Sequence, residues 1–233
     1  MRSRPQFSET DANPVSAPAV RRADRSTIAE VDGGYWVFGY GSLMWKPGFA
    51  YVDRRHAVLS GYARRFCLWS LRYRGTAVKP GLVLGLAPDP DAETRGMAFR
   101  VPGASAEEAW GYLADRELTT AAYHETTAPL RFTCRPESDE RAARAVAYVI
   151  DPAHRQYAAG LSLRDQAEII ADSAGMMGRN ADYLFNTVAH LRAIAVRDEQ
   201  LEALARMVRV LRGEDPDDLD TLIEGPSKET LGD

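Results

Sequence analysis

The amino-acid sequence predicts an α+β fold, a small closed or strongly curved β-barrel with surrounding helices. Short runs of β-forming residues dominate from Tyr35 to Ile150, and a helical period dominates from Ser162 onward. A single helical stretch interrupts the β-rich part. Because strands and helices do not alternate along the chain, a doubly wound parallel sheet fits poorly, whereas a small curved sheet with helices outside it fits well.

The predicted elements follow one another in a simple order. Six β-like runs cover residues 35–39, 56–69, 82–88, 95–101, 129–134 and 145–150. A helix between the fourth and fifth runs is predicted from Ser105 to about Leu118. Ser105 can cap this helix, and acidic residues suit its first turn. Three more helices are predicted within 162–175, 179–194 and 197–212.

The chain divides into three predicted regions. Residues 1–30 are rich in Pro, Ser, Ala and charge and lack periodicity, which predicts a mobile N-terminal extension. Residues 31–213 are expected to form a single domain, since a chain of 233 residues can close a substantial core. Residues 214–233 are acidic and interrupted by Pro and Gly, which predicts a loosely ordered C-terminal tail.

Composition argues against several classes of partner. The formal net charge is −4, from 29 basic and 33 acidic side chains, so no electrostatic argument favours nucleic acid or an anionic membrane. No apolar run approaches the roughly 18 residues that a membrane span needs. The N-terminus also lacks the apolar segment of a secretory signal. The sequence carries no signature of an oligomeric state.

Cysteine and histidine usage predicts neither a disulfide framework nor a metal site. Cys67 and Cys134 both lie in apolar strand runs, where inert core positions are expected. One pair of cysteines in a chain of this length favours a reducing compartment, so the predicted location is cytoplasmic. His124-Glu125 lacks the second histidine of a zincin helix, and no Cys/His cluster has metal-ligand spacing, so no metal is predicted.

A glycine-rich segment at the end of the first predicted strand is a candidate binding site. The segment Phe38-Gly39-Tyr40-Gly41-Ser42-Leu43 places two glycines around Tyr40, so the backbone can turn sharply and approach a ligand closely. Successive N–H groups there can hold a carboxylate or a developing oxyanion. A simple bulge or turn is the alternative interpretation of the glycines.

Glu117 is the candidate for acid/base chemistry. On the predicted helix it lies within an apolar stripe that includes Trp110 and Leu113. Burial on a core-facing stripe raises the pKa of a carboxyl group toward the range that a general acid/base needs near neutral pH. The alternative is a buried ion pair with Arg116 or with an arginine of 64–74.

Several blocks of the sequence resemble the ChaC family of γ-glutamylcyclotransferases. The segment WVFGYGSLMWKPGF at 36–49 looks like the opening signature of that family. Similar blocks follow in the family's order at 61–66, 74–75, 79–81, 112–117 and 178–185. Together they span about residues 36–190, so the resemblance covers nearly all of the predicted domain.

The resemblance implies a small β-barrel with helices around it, no cofactor, and a cyclotransferase activity directed at glutathione. Tyr40, Gly41, Ser42 and Leu43 would then bind the γ-glutamyl group, and Glu117 would be the acid/base. The α-amine of the substrate would attack its own γ-carbonyl, releasing 5-oxoproline and, from glutathione, Cys-Gly. Such an internal attack benefits from proximity, since both reactants belong to one molecule.

The sequence departs from the family's pattern around the expected pocket. The link after the glutamate, 118–123, is longer than usual and contains no glycine, and segments 157–160 and 175–178 also differ. These segments bear on the identity of the substrate more than on the type of reaction.

Three further residues are candidates for contacting the substrate. Tyr123 and Tyr157 are chosen by their positions relative to Glu117 and to the block at 178–185, and a half-buried structural role is the alternative for both. Arg74 can pair with a substrate carboxylate, or it is solvated or paired with Glu117. Ser42 is disfavoured as a nucleophile because no G-x-S-x-G elbow surrounds it.

Two other functions stay open from the sequence. A cyclotransferase for other γ-glutamyl amines or dipeptides would use the same loop and Glu117. The segments that differ from the family's pattern would then determine which substrate it takes. A non-enzymatic regulatory or binding protein linked to cation transport could use the same scaffold, since a fold does not determine a function. Glu117 separates these classes, because a pure binder has little need of a carboxylate on an apolar stripe.

Overall fold

The structure, a computed structural model, describes residues 4–12, 21–24, 27–28, 33–118, 121–133 and 143–223. Its five long strands are β1 (Tyr35–Gly39), β2 (Asp53–Ser70), β3 (Gly81–Val101), β4 (Tyr123–Phe132) and β5 (Ala143–Ile150). Its α-helices are α1 (Ala106–Glu117), α2 (Leu163–Asp172), α3 (Asn180–Ala193) and α4 (Glu199–Arg212). Short 3-10 turns cover Glu9–Ala12, Ser42–Met44 and Gly103–Ser105, and a two-stranded ladder joins Ala174–Gly175 to Gly178–Arg179.

The five long strands close into a barrel in the order β1-β3-β2-β4-β5. β1 is antiparallel to β3, with Tyr35 opposite Val101, and parallel to β5, with Trp36 opposite Ala145. Every residue of β1 is buried, as expected for a strand paired on both sides. The predicted α+β barrel is therefore confirmed.

One predicted pair of strands is wrong. The runs 82–88 and 95–101 are the two ends of a single strand, β3. The polar stretch between them stays extended because it contacts β2. Arg65 pairs with Asp89 at 2.6 Å, and the Thr94 hydroxyl donates to a β2 carbonyl at 2.9 Å. The Pro and Asp residues that resemble a turn lie on the more exposed part of this strand, where proline is tolerated.

β4 begins earlier than the predicted run at 129–134. It starts at Tyr123, which lies opposite Ile150 of β5, and the pairing continues to Leu130. The first residues of β4 are mostly polar and lack the alternation that marks a strand in the sequence. Pairing with β5 holds these residues in a strand, although their own sequence pattern does not predict one.

The chain groups into two compact units, each described by itself. One comprises Met1–Val15, Phe66–Leu84 and Ala158–Asp233, and the other comprises Ser16–Arg65 and Gly85–Tyr157.

The first unit holds α2, α3 and α4, which pack on one another. α2 begins with a capping box, in which the Asp165 N–H donates to Ser162 Oγ at 3.1 Å and the Asp165 carboxylate accepts the Ser162 N–H at 3.3 Å. At the start of α3 the buried Asn180 side chain exchanges two hydrogen bonds of 2.7 Å with the backbone of Leu82. The three helices predicted after residue 162 are confirmed.

Parts of the predicted extension and tail contact this first unit. The Phe7 ring lies 6.4 Å from the Trp69 ring between centroids. The Asn186 side chain donates to the Ile223 carbonyl at 2.9 Å and accepts the Ile223 N–H at 2.6 Å. The predicted region boundaries, and the mobility of the two outer regions, stay predictions.

Two further expectations concern cysteines and membrane spans. Cys67 is buried, and Cys134 lies outside the described residues. Among the residues that the structure describes, no helix combines the length and the apolar character needed to span a bilayer.

Candidate active site

The segment after β1 folds into a short 3-10 turn. The Met44 N–H donates to the Gly41 carbonyl at 2.9 Å, which closes the turn. Tyr40 and Leu43 are buried, whereas Ser42 is exposed. The first N–H groups of a helical turn have no partner within that turn. Gly41, Ser42 and Leu43 belong to this turn, and Tyr40 directly precedes it. The turn that was the alternative interpretation of the glycines is present, and the binding role of these residues stays a prediction.

Arg64 supports the backbone of the candidate binding segment, a role that the sequence analysis did not assign to it. Its Nη1 donates to the carbonyls of Tyr40 and Arg95, both at 2.9 Å, and the residue is only 5% exposed. An arginine that directs its donors at backbone carbonyls holds that backbone in place. The sequence does show Arg64 inside an apolar strand run. Burying an arginine there costs free energy unless its donors find acceptors, so such a position indicates specific hydrogen bonds.

α1 carries Glu117 as its last residue. Trp110 and Leu113 of the same helix are buried in a core cluster with Leu43 and Tyr148, so the predicted apolar stripe is confirmed. The Glu117 side chain is 18% exposed. Burial raises the pKa of Glu117, and the positive charge beside it offsets part of that rise.

The start of α1 differs from the prediction. Ser105 occupies the N-cap position, but its side chain makes no capping hydrogen bond. Its backbone, with φ −110° and ψ 7°, is outside the extended region from which N-cap side chains usually reach back. A 3-10 turn ending at Ser105 leads into the helix instead, with the Ser105 N–H donating to the Pro102 carbonyl at 3.0 Å.

Arg116 pairs with Glu117 and also reaches the loop. Its Nε lies 3.1 Å from Glu117 Oε1. Its Nη2 donates to Ser42 Oγ at 2.8 Å, and its Nη1 donates to the Lys46 carbonyl at 2.7 Å and to Tyr112 Oη at 2.9 Å. The ion pair that was the alternative for Glu117 is therefore present, together with a raised pKa of the carboxyl group.

Another buried carboxylate contacts Tyr148, a member of the core cluster that α1 packs into. Glu125 of β4 is 3% exposed, and it accepts hydrogen bonds from the Tyr148 hydroxyl and from the Ala23 N–H, both at 3.0 Å. Burial, then Glu125, and to a smaller extent Glu117 raise the pKa of Tyr148. Tyr148 thus lies within electrostatic reach of Glu117. Sequence reasoning missed this pair because its members come from different strands.

The sequence profile of ChaC-like proteins matches residues 35–211. This chain belongs to the ChaC-like family. A glutathione-specific γ-glutamylcyclotransferase of Escherichia coli K12 is 34% identical over 183 residues, which cover 78% of this chain and 76% of the relative. The mouse glutathione-specific γ-glutamylcyclotransferase 1 is 33% identical over 206 residues, which cover 88% and 91% of the two chains.

Solved structures share the fold of this ChaC-like chain. A γ-glutamyl cyclotransferase from yeast, described as specific to glutathione, matches with a TM-score of 0.65 at 27% identity. The match covers 77% of this chain and 99% of the yeast chain. A selenomethionine form of the yeast protein matches with a TM-score of 0.66 at 26% identity.

Tyr123 and Tyr157, two predicted substrate contacts of this ChaC-like chain, are both half-buried. Tyr123 is the first residue of β4. The Tyr157 N–H donates to the His154 carbonyl at 2.8 Å, in a turn beyond β5. Their proposed roles in binding stay predictions.

Arg74 belongs to the other compact unit. Its Nη1 donates to the Met177 carbonyl at 2.5 Å and to the Arg179 carbonyl at 3.2 Å, and its guanidinium lies 5.3 Å from the centroid of the Tyr183 ring. Burial lowers the pKa of Arg74. These contacts hold the turn at 175–178, and the role of Arg74 toward a substrate carboxylate stays a prediction.

His124 faces an aspartate. Its Nε2 lies 3.1 Å from Asp151 Oδ2. Within the described ranges, no group of three or more His, Cys, Asp or Glu side chains is arranged to hold a metal ion.

Proposed function

We propose that this chain is a glutathione-directed γ-glutamylcyclotransferase with Glu117 as its acid/base. One observation carries the proposal. Glu117 is a largely buried carboxyl group with a raised pKa, and Arg116 links it to the turn that contains Ser42. The relatives in E. coli and mouse carry the same activity in their names, at about one-third identity over most of the chain.

The reaction needs a base that deprotonates the α-amine and then an acid that protonates the departing amine, both at the same site. At neutral pH the α-amine of a γ-glutamyl compound is protonated and is not a nucleophile. Glu117 takes a proton from it, the nitrogen attacks the γ-carbonyl carbon, and the amide C–N bond breaks. The attacking nitrogen loses two protons in all and the released amine gains two, so 5-oxoproline and, from glutathione, Cys-Gly form without consuming water.

The raised pKa of Glu117 suits both steps. A base works best when its pKa lies near the working pH, because it must accept a proton and then release it. General acid/base catalysis of this kind contributes about 10²- to 10⁴-fold.

The turn at Tyr40–Leu43 is proposed to bind the γ-glutamyl group. Backbone N–H groups of Gly41, Ser42 and Leu43 would stabilise the negative charge that develops on the γ-carbonyl oxygen, a role worth about 3–4 kcal/mol in other enzymes. Ser42 Oγ accepts a hydrogen bond from Arg116, which cannot take a proton from it. This contact favours a binding role for Ser42 over that of a nucleophile.

Turnover of other γ-glutamyl amines or dipeptides is the second candidate function. The departure at 118–123 favours it, because it alters the segment directly after Glu117, while Glu117 and the Tyr40–Leu43 turn match the family's pattern. A cytoplasmic location stays a prediction from the sequence.

The deciding experiment is incubation of the purified protein with glutathione, followed by mass spectrometry of 5-oxoproline and Cys-Gly. We expect the wild type to form both products, and Glu117→Gln to lose about 10²-fold or more of the activity. Glu107→Gln is the matched control, since Glu107 is exposed on the same helix. If the wild type does not turn over glutathione but does turn over γ-glutamyl dipeptides, the second candidate function is supported. If it turns over neither, the enzymatic proposal is overturned.

A further inference from the structure

The guanidinium of Arg116 touches both halves of the proposed site. On one side its Nε lies 3.1 Å from Glu117 Oε1. On the other side its Nη2 donates to Ser42 Oγ at 2.8 Å, and its Nη1 donates to the Lys46 and Pro47 carbonyls at 2.7 and 3.3 Å. Arg116 therefore spans the gap between the end of α1 and the segment that follows β1.

We propose that Arg116 is a positioning residue, which holds the carboxylate of Glu117 at a set distance and angle from the Tyr40–Leu43 turn. The proposal rests on the proposed function, in which that turn holds the γ-glutamyl group and Glu117 moves its protons. A carboxylate on the last residue of a helix is poorly constrained by the helix alone, because helix ends fray. The bridge to the turn supplies the constraint.

The chemistry of arginine suits this task better than that of lysine. The guanidinium is planar and directs its donors in fixed directions, so it can serve the carboxylate, a hydroxyl and backbone carbonyls at once. Lysine offers a point charge on a flexible stem. Arginine also stays protonated at any working pH, so it does not compete with Glu117 for the proton.

Tyr112 supports the bridge from one side. Its Oη accepts a hydrogen bond from Arg116 Nη1 at 2.9 Å. The Tyr112 ring lies so close to Gly48 that a side-chain carbon at Gly48 would fall 2.0 Å from Tyr112 Oη. Gly48 also has φ +78°, a conformation that other residues rarely adopt. Because Gly48 has no side chain, the Tyr112 ring can pack against the segment after the turn, where its Oη accepts the hydrogen bond from Arg116.

Arg116 also sets the charge environment of the carboxylate. Among the residues that the structure describes, Arg116 on α1 and Tyr148 on β5 interact electrostatically with Glu117, and the Tyr148 hydroxyl donates to Glu125 of β4. Tyr35 of β1 lies in the same cluster and donates its hydroxyl to the Ala106 carbonyl. Of these groups, Arg116 bears the positive charge that lowers the pKa of Glu117 against the effect of burial.

The test compares Arg116→Met and Arg116→Lys with the wild type by kcat/KM for glutathione across pH. Arg116→Met removes the charge and the donors, so we expect kcat/KM to fall about 100-fold, because a small misplacement of a reacting group has effects of that size. We also expect the acid limb of the profile to move up by about one pH unit, since an opposite charge within a few ångströms has been removed. Arg164→Met is the matched control, since Arg164 is an exposed arginine on α2.

Arg116→Lys separates geometry from charge. It keeps the positive charge, so the acid limb should stay near its wild-type position while kcat/KM still falls about tenfold through the lost bridge to the turn. Ser42→Ala should add little to the loss in Arg116→Met, because the two changes remove the same contact. A role confined to folding would lower the stability of these variants and leave the pH profile in place.

Besides that outcome, two results would overturn the inference. One is an Arg116→Met enzyme with wild-type kcat/KM and pH profile. The other is additive losses from Ser42→Ala and Arg116→Met. If the wild type is inactive on every γ-glutamyl substrate, the proposed function fails separately. In that case NMR titration of labelled glutamate still tests the effect of Arg116, since the pKa of Glu117 should rise in Arg116→Met, and an unchanged pKa would refute the electrostatic part.

Discussion

Two opposing effects act on the pKa of Glu117. The carboxyl group lies largely out of solvent, which favours its neutral form, and beside Arg116, which favours its charged form. Burial has the larger effect, so the pKa of Glu117 is raised. A raised pKa brings the carboxyl group closer to the range that a proton carrier needs, and it costs stability when the group is charged in the folded chain.

That cost predicts a pH-dependent effect of Glu117→Gln on stability. Because folding raises the pKa of Glu117, its contribution to stability is full below the unfolded-chain pKa of about 4.3. The contribution is lost as pH rises through the folded value. Glutamine stays neutral and avoids this loss. We therefore expect the thermal midpoint of Glu117→Gln to match the wild type near pH 4 and to exceed it at pH 8.

The measurement is differential scanning calorimetry of both proteins over that pH range. Glu107→Gln, which changes an exposed glutamate on the same helix, should track the wild type at every pH. A Glu117→Gln midpoint that falls below the wild type with rising pH would mean that the ion pair with Arg116 outweighs burial.

At the scale of elements, β4 and β5 are joined by more than their backbone ladder. The buried Glu125 carboxylate of β4 accepts a hydrogen bond from the Tyr148 hydroxyl of β5 and another from the Ala23 N–H. The Glu125 N–H in turn donates to the Arg21 carbonyl at 3.1 Å. Residues 21–24 thus run along β4 where its N-terminal part begins, and one buried carboxylate ties three segments together.

Removing that carboxylate should destabilise the barrel. Glu125→Ala leaves the buried Tyr148 hydroxyl and the Ala23 N–H without their acceptor, so we expect a loss of about 1–3 kcal/mol in the free energy of unfolding. Glu125→Gln keeps an acceptor oxygen and should cost less. Urea denaturation followed by tryptophan fluorescence measures both.

Tyr148→Phe provides the control for this prediction. It removes the donor, so its loss combined with Glu125→Ala should be smaller than the sum of the two single losses. Additive losses would show that the hydrogen bond between the two side chains contributes nothing to stability.

At the scale of the whole molecule, the described residues beyond α4 belong to the folded structure. Arg209 of α4 is 5% exposed, and its guanidinium lies 4.2 Å from the centroid of the Phe185 ring. Its Nη1 lies 3.5 Å from a Glu214 carboxylate oxygen and its Nη2 lies 3.1 Å from an Asp218 oxygen. A buried arginine is costly without such acceptors, so the chain after α4 helps to stabilise the packing of α3 and α4.

Truncation tests this contribution. A chain ending at Gly213 loses both acidic partners of Arg209, and we expect its thermal midpoint to fall by at least about 3 °C. A chain ending at Ile223 keeps every contact described above and should melt close to the full chain. Equal midpoints for the two truncated chains would show that residues 214–223 add nothing to stability.

Local patterns in the sequence determined much of this architecture. Alternation and apolar runs predicted β1, β2 and β5, and the helical period predicted all four helices, because these patterns are set by residues that are neighbours in the chain. The stripe on α1 likewise predicted the burial of Glu117. The glycines around Tyr40 predicted a sharp turn, since that property belongs to the glycines themselves.

Only the tertiary structure decided the rest, because it depends on residues far apart in the chain. The continuity of β3 follows from pairing with β2, and the early start of β4 follows from pairing with β5. The bridge of Arg116 to Ser42 joins residues 74 positions apart. The sequence thus determined which side chains could be buried or could bend the backbone. Packing decided which of them meet, since the partners of a buried polar group are set by the fold and not by its neighbours in the chain.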